Sequence, residues 1–240
     1  VLGSSQALGD FLVSHPEHLC ALDPAHAVDA PAQPPVDVVV GEAVRSALGD
    51  AEGDERRARV DSATTAMRVA YRDRLLAIAA DDLTSPDPLA HLTVVVERMT
   101  RLADAALDAA LTIARASVGP RSDPVSLAVI AMGKTGAREL NYVSDVDVVY
   151  VVGLAESFDA PAAAPSDRSV DEDELVRLGT ELAVELAHAT SATGDEQPLW
   201  PLDTALRPEG KDGALVRTLA SHVTYYERWA ASWEFQALLK

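Results

Sequence analysis

Ser144-Asp145-Val146-Asp147-Val148-Val149-Tyr150-Val151-Val152 sets two carboxylates, with one residue between them, at the head of an apolar run rich in β-branched residues. Such a run suits a buried strand. Side chains two positions apart on a strand point to one face, so Asp145 and Asp147 present their charges together. Neighbouring anions repel, and beside apolar surroundings they are stable only when a cation neutralises them. Hard carboxylate oxygens match Mg²⁺ or Mn²⁺, ions that keep waters and share substrate phosphates. A solvated strand end or an Asp-capped turn is written with the same letters, so the flanking segments carry the decision.

Upstream, Ser126-Leu127-Ala128-Val129-Ile130-Ala131-Met132 is another short apolar run of strand character. It leads into Gly133-Lys134-Thr135-Gly136-Ala137-Arg138-Glu139-Leu140, which has room for a turn and a short helix. A glycine turn of this kind lets backbone N–H groups and a helix N-terminus approach a phosphate; it is also an ordinary strand-to-helix turn. Downstream, Leu199-Trp200-Pro201-Leu202-Asp203 reads as a third short strand, with Pro201 marking a bulge or edge. Asp203 would bring a third carboxylate to the pair. Arg207, in Leu206-Arg207-Pro208-Glu209-Gly210, offers either a fork for phosphate oxygens or a local salt bridge to Asp203.

Further out the pattern is helical. Residues 1–22 carry a helical pattern that stops near His15-Pro16, since the residue before proline disfavours helix. Four prolines in 24–36 mark a loop, 38–48 reads as helix, and the acidic stretch around 50–55 is a charged connector. Two long helices follow, over 62–83 and from Pro88 to about Gly119, each with an apolar stripe at 3–4 spacing. Residues 153–170 read as a mobile loop, 171–189 as helix, and helix resumes near Thr218. The expected organisation is a helical region over 1–121, an α/β core over 122–217, and the start of a further helical region over 218–240.

Composition narrows the function. The formal net charge is −18, from 38 acidic and 20 basic residues. Binding to nucleic acid or an anionic membrane is driven by Lys and Arg neutralising phosphates, so both partners are disfavoured. The single cysteine, Cys20, excludes an internal disulfide or a multi-cysteine zinc site and fits a reducing cytoplasm. No apolar run reaches the roughly 20 residues of a membrane span, and the six histidines lack metal-ligand spacing. A start at Val1 and an end inside an amphipathic pattern suggest a piece of something longer.

The glycine turn, the paired aspartates and the later strand aspartate together resemble the DNA polymerase β-like nucleotidyltransferases, an α+β fold with a small mixed sheet. Within them, Gly133-Lys134-x-Gly136-x-x-Glu139-Leu140-Asn141-x-x-Ser144-Asp145-Val146-Asp147 closely resembles the signature of the glutamine synthetase adenylyltransferases. So do Asp203-x-x-Leu206-Arg207-Pro208-Glu209-Gly210, Tyr225-Tyr226-x-x-Trp229 and Trp233-Glu234 with the segment after it. The likeness covers most of 124–240 and is weaker in front. It departs from the family at Ala205, where members often carry a second arginine.

That resemblance implies an enzyme with two homologous halves. One attaches AMP from ATP to a tyrosine of glutamine synthetase; the other removes it by phosphorolysis, giving ADP. A 240-residue chain with a single Asp-x-Asp pair on a predicted strand has room for one half, and the wording Asn141-Tyr142-Val143-Ser144-Asp145 is more like the N-terminal, AMP-removing half. The resemblance further implies one or two Mg²⁺ ions (Mn²⁺ as substitute) on Asp145, Asp147 and Asp203. Nucleotide and phosphate contacts would come from Gly133, Lys134, Gly136, Arg138, Ser144, Arg207 and Lys211, and ATP or ADP would be substrate or product. Glutamine synthetase is the implied protein substrate and a PII-type nitrogen signalling protein the implied regulator. Trp229, Trp233 and Glu234 are expected to pack the following helix against the core. A different acceptor, a silent nucleotide-sensing module and a helical scaffold stand as competing readings.

Overall fold

The computed structural model describes residues 3, 5–23, 34–49, 55–155 and 171–239. The expected proline-rich loop falls largely outside these residues, as do most of the acidic connector and most of the 153–170 loop. The chain forms two compact units, each assembled from separated segments: 1–109, 138–144 and 193–199 in one, 110–137, 145–192 and 200–240 in the other. Segments 138–144 and 193–199 belong to the first unit.

The first unit is helical. Helix α1 (Gln6–Ser14) starts where the Ser5 hydroxyl accepts the Leu8 N–H at 3.3 Å, and it stops at His15 before Pro16. After a 3₁₀ turn (Pro16–Leu22) come α2 (Val36–Leu48) and α3 (Arg56–Thr84), packed on each other. Helix α3 begins six residues before the expected start, because Arg56-Arg57-Ala58-Arg59 are good helix formers outside the apolar stripe. Helix α4 (Pro88–Val118) opens with the Asp87 carboxylate accepting the Ala90 N–H at 3.1 Å, and Pro88 stands at its first position. Leu8, Phe11, Leu12 and Ala21 close a core against Leu76, Ala77 and Ala79 of α3.

Two buried arginines of α3 tie segment 193–199 down. Arg68 donates to Glu196 O at 2.9 Å, and Arg72 donates to the carbonyls of Gln197 at 2.5 Å and Pro198 at 2.9 Å. Arg72 also pairs with the Glu196 carboxylate at 3.5 Å, which His15 contacts at 2.6 Å. An extended segment without ladder partners must satisfy its backbone elsewhere, and these side chains supply the donors.

The second unit holds the sheet. Strand β1 (Val125–Ala131) runs antiparallel to β2 (Val146–Leu154), with Val125 opposite Leu154 and Ala131 opposite Val148. Two short strands pair with β2 in parallel: β3 (Leu202–Asp203) beside Val146 and Asp147, and β4 (Val216–Thr218) beside Tyr150 to Val152. The third strand is two residues long instead of five, because Pro201 has no N–H to pair. Strand β4 was not expected; three residues are too few to show a period.

Along β2, Val146, Val148, Tyr150 and Val152 form one face, at most 2% exposed. Helix α6 (Glu172–Ser191) covers it with Leu175, Leu178, Leu182 and Leu186. Contact is so close at Gly179 that a Cβ there would stand 2.7 Å from Val152 Cγ2. The other face carries Asp147, Val149 and Val151. A single turn, α5 (Gly133–Gly136), follows β1, while α7 (Leu219–Arg228) and α8 (Ser232–Ala237) end the chain. Glu234 does pack inward: it is 5% exposed and accepts from Tyr225 Oη at 3.2 Å and the Ala231 N–H at 2.9 Å. Trp229 and Trp233 do not. They are 65% and 53% exposed, against the expectation that they pack the helix.

Candidate active site

Parallel pairing of β2 with β3 puts Asp203 directly beside Asp147. Register therefore joins two carboxylates 56 residues apart in sequence, and Asp145, exposed just ahead of β2, lies on the same face. Burial and then the neighbouring charges of Asp203 and Asp145 push the Asp147 carboxyl above the ordinary carboxylate range, while Lys134 pulls it back. Three anionic groups so disposed call for positive charge.

Gly133 completes the wall. Its φ is 56°, in the left-handed region, and a Cβ there would lie 2.5 Å from Asp147 Oδ2. Only glycine fits both the turn and the carboxylate. The Met132 N–H donates to Asp147 O at 2.9 Å, carrying the β1–β2 ladder up to the turn. Glycine at the turn was legible in the sequence; its contact with Asp147 was not.

The structure sorts the expected phosphate contacts. Lys134 is exposed and lies close enough to Asp147 to act on its charge. Gly136 closes the α5 turn, its N–H donating to Met132 O at 3.0 Å. Arg138, a non-glycine residue at φ 60°, belongs to the first unit, where it pairs with Glu97 at 2.8 Å and Asp104 at 3.9 Å. Ser144 is partly buried in that unit too. Arg207 is 8% exposed and knits its own loop, donating to the carbonyls of Thr204 at 2.8 Å, Lys211 at 3.0 Å and Gly213 at 3.2 Å. It makes neither an open fork nor a bridge to Asp203, because these carbonyls take its donors. Lys211 is exposed on the loop that Arg207 holds. Asp203 Oδ1 accepts the Ala205 N–H at 2.7 Å, which orients the carboxylate.

Among the described residues no three His, Cys, Asp or Glu side chains form a ready metal cage. Mg²⁺ does not require one: it binds through one or two carboxylates, waters and substrate phosphates. An all-oxygen donor set around Asp147, whose carboxyl burial and the neighbouring Asp203 and Asp145 hold above its ordinary range, fits that ion class.

A small mixed sheet with this acidic face, covered behind by α6, defines an α+β nucleotidyltransferase-like core accompanied by a helical region. The model of the Glutamate-ammonia ligase adenylyltransferase family matches residues 1–240, and the chain belongs to that family. It is 43% identical over 248 residues to a bifunctional glutamine synthetase adenylyltransferase/adenylyl-removing enzyme of Bifidobacterium longum, with all of this chain and 22% of the relative covered. The corresponding enzymes of Leifsonia xyli and Mycobacterium tuberculosis are 43% and 42% identical across the whole chain, over 23% and 21% of their lengths. The chain thus spans about a fifth of the relatives it matches. Among the described residues no helix is long and apolar enough to cross a membrane.

Proposed function

We propose that this chain is a nucleotidyl-transfer half that removes AMP from the adenylylated tyrosine of glutamine synthetase by phosphorolysis. The observation that carries the reading is the register of Asp203 on Asp147, closed in by Gly133. Asp145, Asp147 and Asp203 would hold Mg²⁺, which supplies charge stabilisation to the attacking and leaving oxygens. Lys134 and Lys211 hold the incoming inorganic phosphate. A phosphate oxygen attacks the AMP phosphorus, the bond from phosphorus to the tyrosine oxygen breaks, and the phenolate takes up a proton; the products are ADP and free tyrosine. Phosphate is already anionic, so positioning and positive charge suffice and no general base is needed. Arg207 acts indirectly, by holding the loop that carries Lys211. The activity is placed in the cytoplasm, with a PII-type signalling protein as regulator.

The test is ADP release from adenylylated glutamine synthetase with Mg²⁺ and inorganic phosphate, alongside an Asp145→Ala, Asp147→Ala double variant. Phosphate-dependent ADP release, lost in the variant, is the expected result. AMP incorporation from ATP into unmodified glutamine synthetase, without ADP release, would assign the transferring direction instead.

A further inference from the structure

The loop that carries Lys211 is held from two sides. Within it, Arg207 binds the carbonyls of Thr204, Lys211 and Gly213. From outside, Glu209 is gripped at both its backbone and its side chain. Its φ is 64°, in the left-handed region, which a residue with a side chain keeps only where its surroundings fix it. The Glu209 N–H donates to Tyr225 Oη at 3.2 Å, and its carboxylate pairs with Arg217 of β4. Arg217 also stands over the Tyr225 ring, 5.7 Å from its centroid. Strand β4 lies beside β2, the strand of Asp147, with Arg217 opposite Val151.

Tyr225 is buried, and its hydroxyl has one hydrogen to give. The Glu234 carboxylate takes it: Oε1 accepts from Tyr225 Oη at 3.2 Å as well as from the Ala231 N–H. The lone pairs of the hydroxyl are then left for the Glu209 N–H. Donation runs one way, from Glu209 N–H to Tyr225 O–H to Glu234. A hydroxyl that donates to a carboxylate is itself a stronger acceptor. Burial raises the pKa of Tyr225 and the Glu234 carboxylate adds to the rise, so the hydroxyl keeps its proton. The second oxygen of Glu234, Oε2, is buried with no hydrogen-bond partner. Keeping a carboxylate in such a place is costly, and the side chain it serves there is Tyr225.

We propose that Tyr225 and Glu234 are positioning residues for phosphorolysis: through the Glu209 N–H they hold the Lys211 loop in the form that binds inorganic phosphate. The inference rests on the phosphorolysis reading, in which Lys211 contacts that phosphate. Neither residue touches phosphate; each acts through the loop. Tyr225-Tyr226-x-x-Trp229 and Trp233-Glu234 thereby gain a use, although both lie outside the acidic site. Loosening the relay frees the backbone around Lys211, so the cost falls on phosphate binding and not on Asp145, Asp147 or Asp203.

The test follows ADP release from adenylylated glutamine synthetase with Mg²⁺ over a range of inorganic phosphate concentrations. Lys211→Ala is expected to raise KM for phosphate about 10- to 100-fold, the worth of a hydrogen bond to a charged group. Tyr225→Phe is expected to raise it about 3- to 10-fold, with kcat at saturating phosphate and the Mg²⁺ dependence unchanged. A variant that only folded less well would lose kcat and keep KM. Glu234→Gln, whose amide oxygen still accepts, is expected to stay close to the unaltered protein. Glu234→Leu is expected to behave like Tyr225→Phe, and it carries the test if a melting curve shows Tyr225→Phe unfolded. Added to Lys211→Ala, Tyr225→Phe is expected to raise KM no further, because both act on one contact. A phosphate KM indifferent to Tyr225→Phe and Glu234→Leu, or effects of Tyr225→Phe and Lys211→Ala that multiply, overturns the relay and leaves phosphorolysis standing. Lys211→Ala without effect on KM removes Lys211 and the relay with it. No phosphate-dependent ADP release from the unaltered chain overturns both the relay and the reading beneath it.

Discussion

Gly133 and Asp147 are the residues on which the site turns. At φ 56°, and with Asp147 Oδ2 where a methyl would go, Gly133 admits no side chain without moving the carboxylate or the turn. Gly133→Ala is expected to lower stability by about 1–2 kcal/mol, the usual penalty of a left-handed alanine, and to reduce the proposed phosphorolysis about 100-fold by displacing Asp147. Urea unfolding beside a steady-state assay separates the two effects; a stable, fully active variant would remove Gly133 from the site. At the same scale, Arg207 shows how a side chain that looks like a phosphate fork is spent instead on the carbonyls of its own loop.

Among the elements, β3 is the shortest to carry site chemistry, two residues held by β2 on one side and entered from a segment without ladder partners. That segment, 193–199, is fastened within the helical unit by Arg68 and Arg72. Arg72→Met removes the hydrogen bonds to the Gln197 and Pro198 carbonyls and takes from Glu196 its arginine partner in a largely buried place, leaving it His15. Breaking such a pair costs about 3–5 kcal/mol. The expected outcome is a fall of that size in unfolding free energy by urea titration, and a loss below about 1 kcal/mol would mean that the segment holds its course unaided. On the covered face, Gly179 lets α6 lie against Val152. The helical spacing of α6 was legible from leucines alone, but why a glycine interrupts it became clear only once the strand behind it was in place.

For the whole molecule the governing quantity is a net charge of −18. Self-repulsion at that charge opposes compaction and is screened over about 10 Å at 0.1 M salt. Raising NaCl from 10 to 200 mM is expected to raise the melting temperature by about 2–4 °C, equivalent to about 1 kcal/mol for a chain of this size. Calorimetry at constant pH reads this directly, and an unchanged or lower melting temperature would show that local ion pairs already balance the charge. The same acidity is why the few cations near Asp147 count: Lys134 offsets a site whose other charged neighbours are acidic.

Periodicity and residue chemistry made the long helices, β1, β2 and the Asp145–Asp147 pair readable before any fold was in hand, because each depends on the spacing of neighbours along the chain. The third carboxylate was legible as a residue type on a short strand, yet its place beside Asp147 depends on parallel register between segments far apart in sequence. The same is true of Arg138 and Arg207, whose partners Glu97 and Gly213 no local pattern announces. Tyr225 was legible only as a letter of a motif, since the bridge its hydroxyl makes from Glu209 to Glu234 exists only once the helix lies against the loop. The sequence by itself determined the chemistry available: carboxylates, a glycine turn and a strand to hold them. Tertiary structure decided which groups meet, because register, burial and hydrogen-bond partners arise only when distant segments pack.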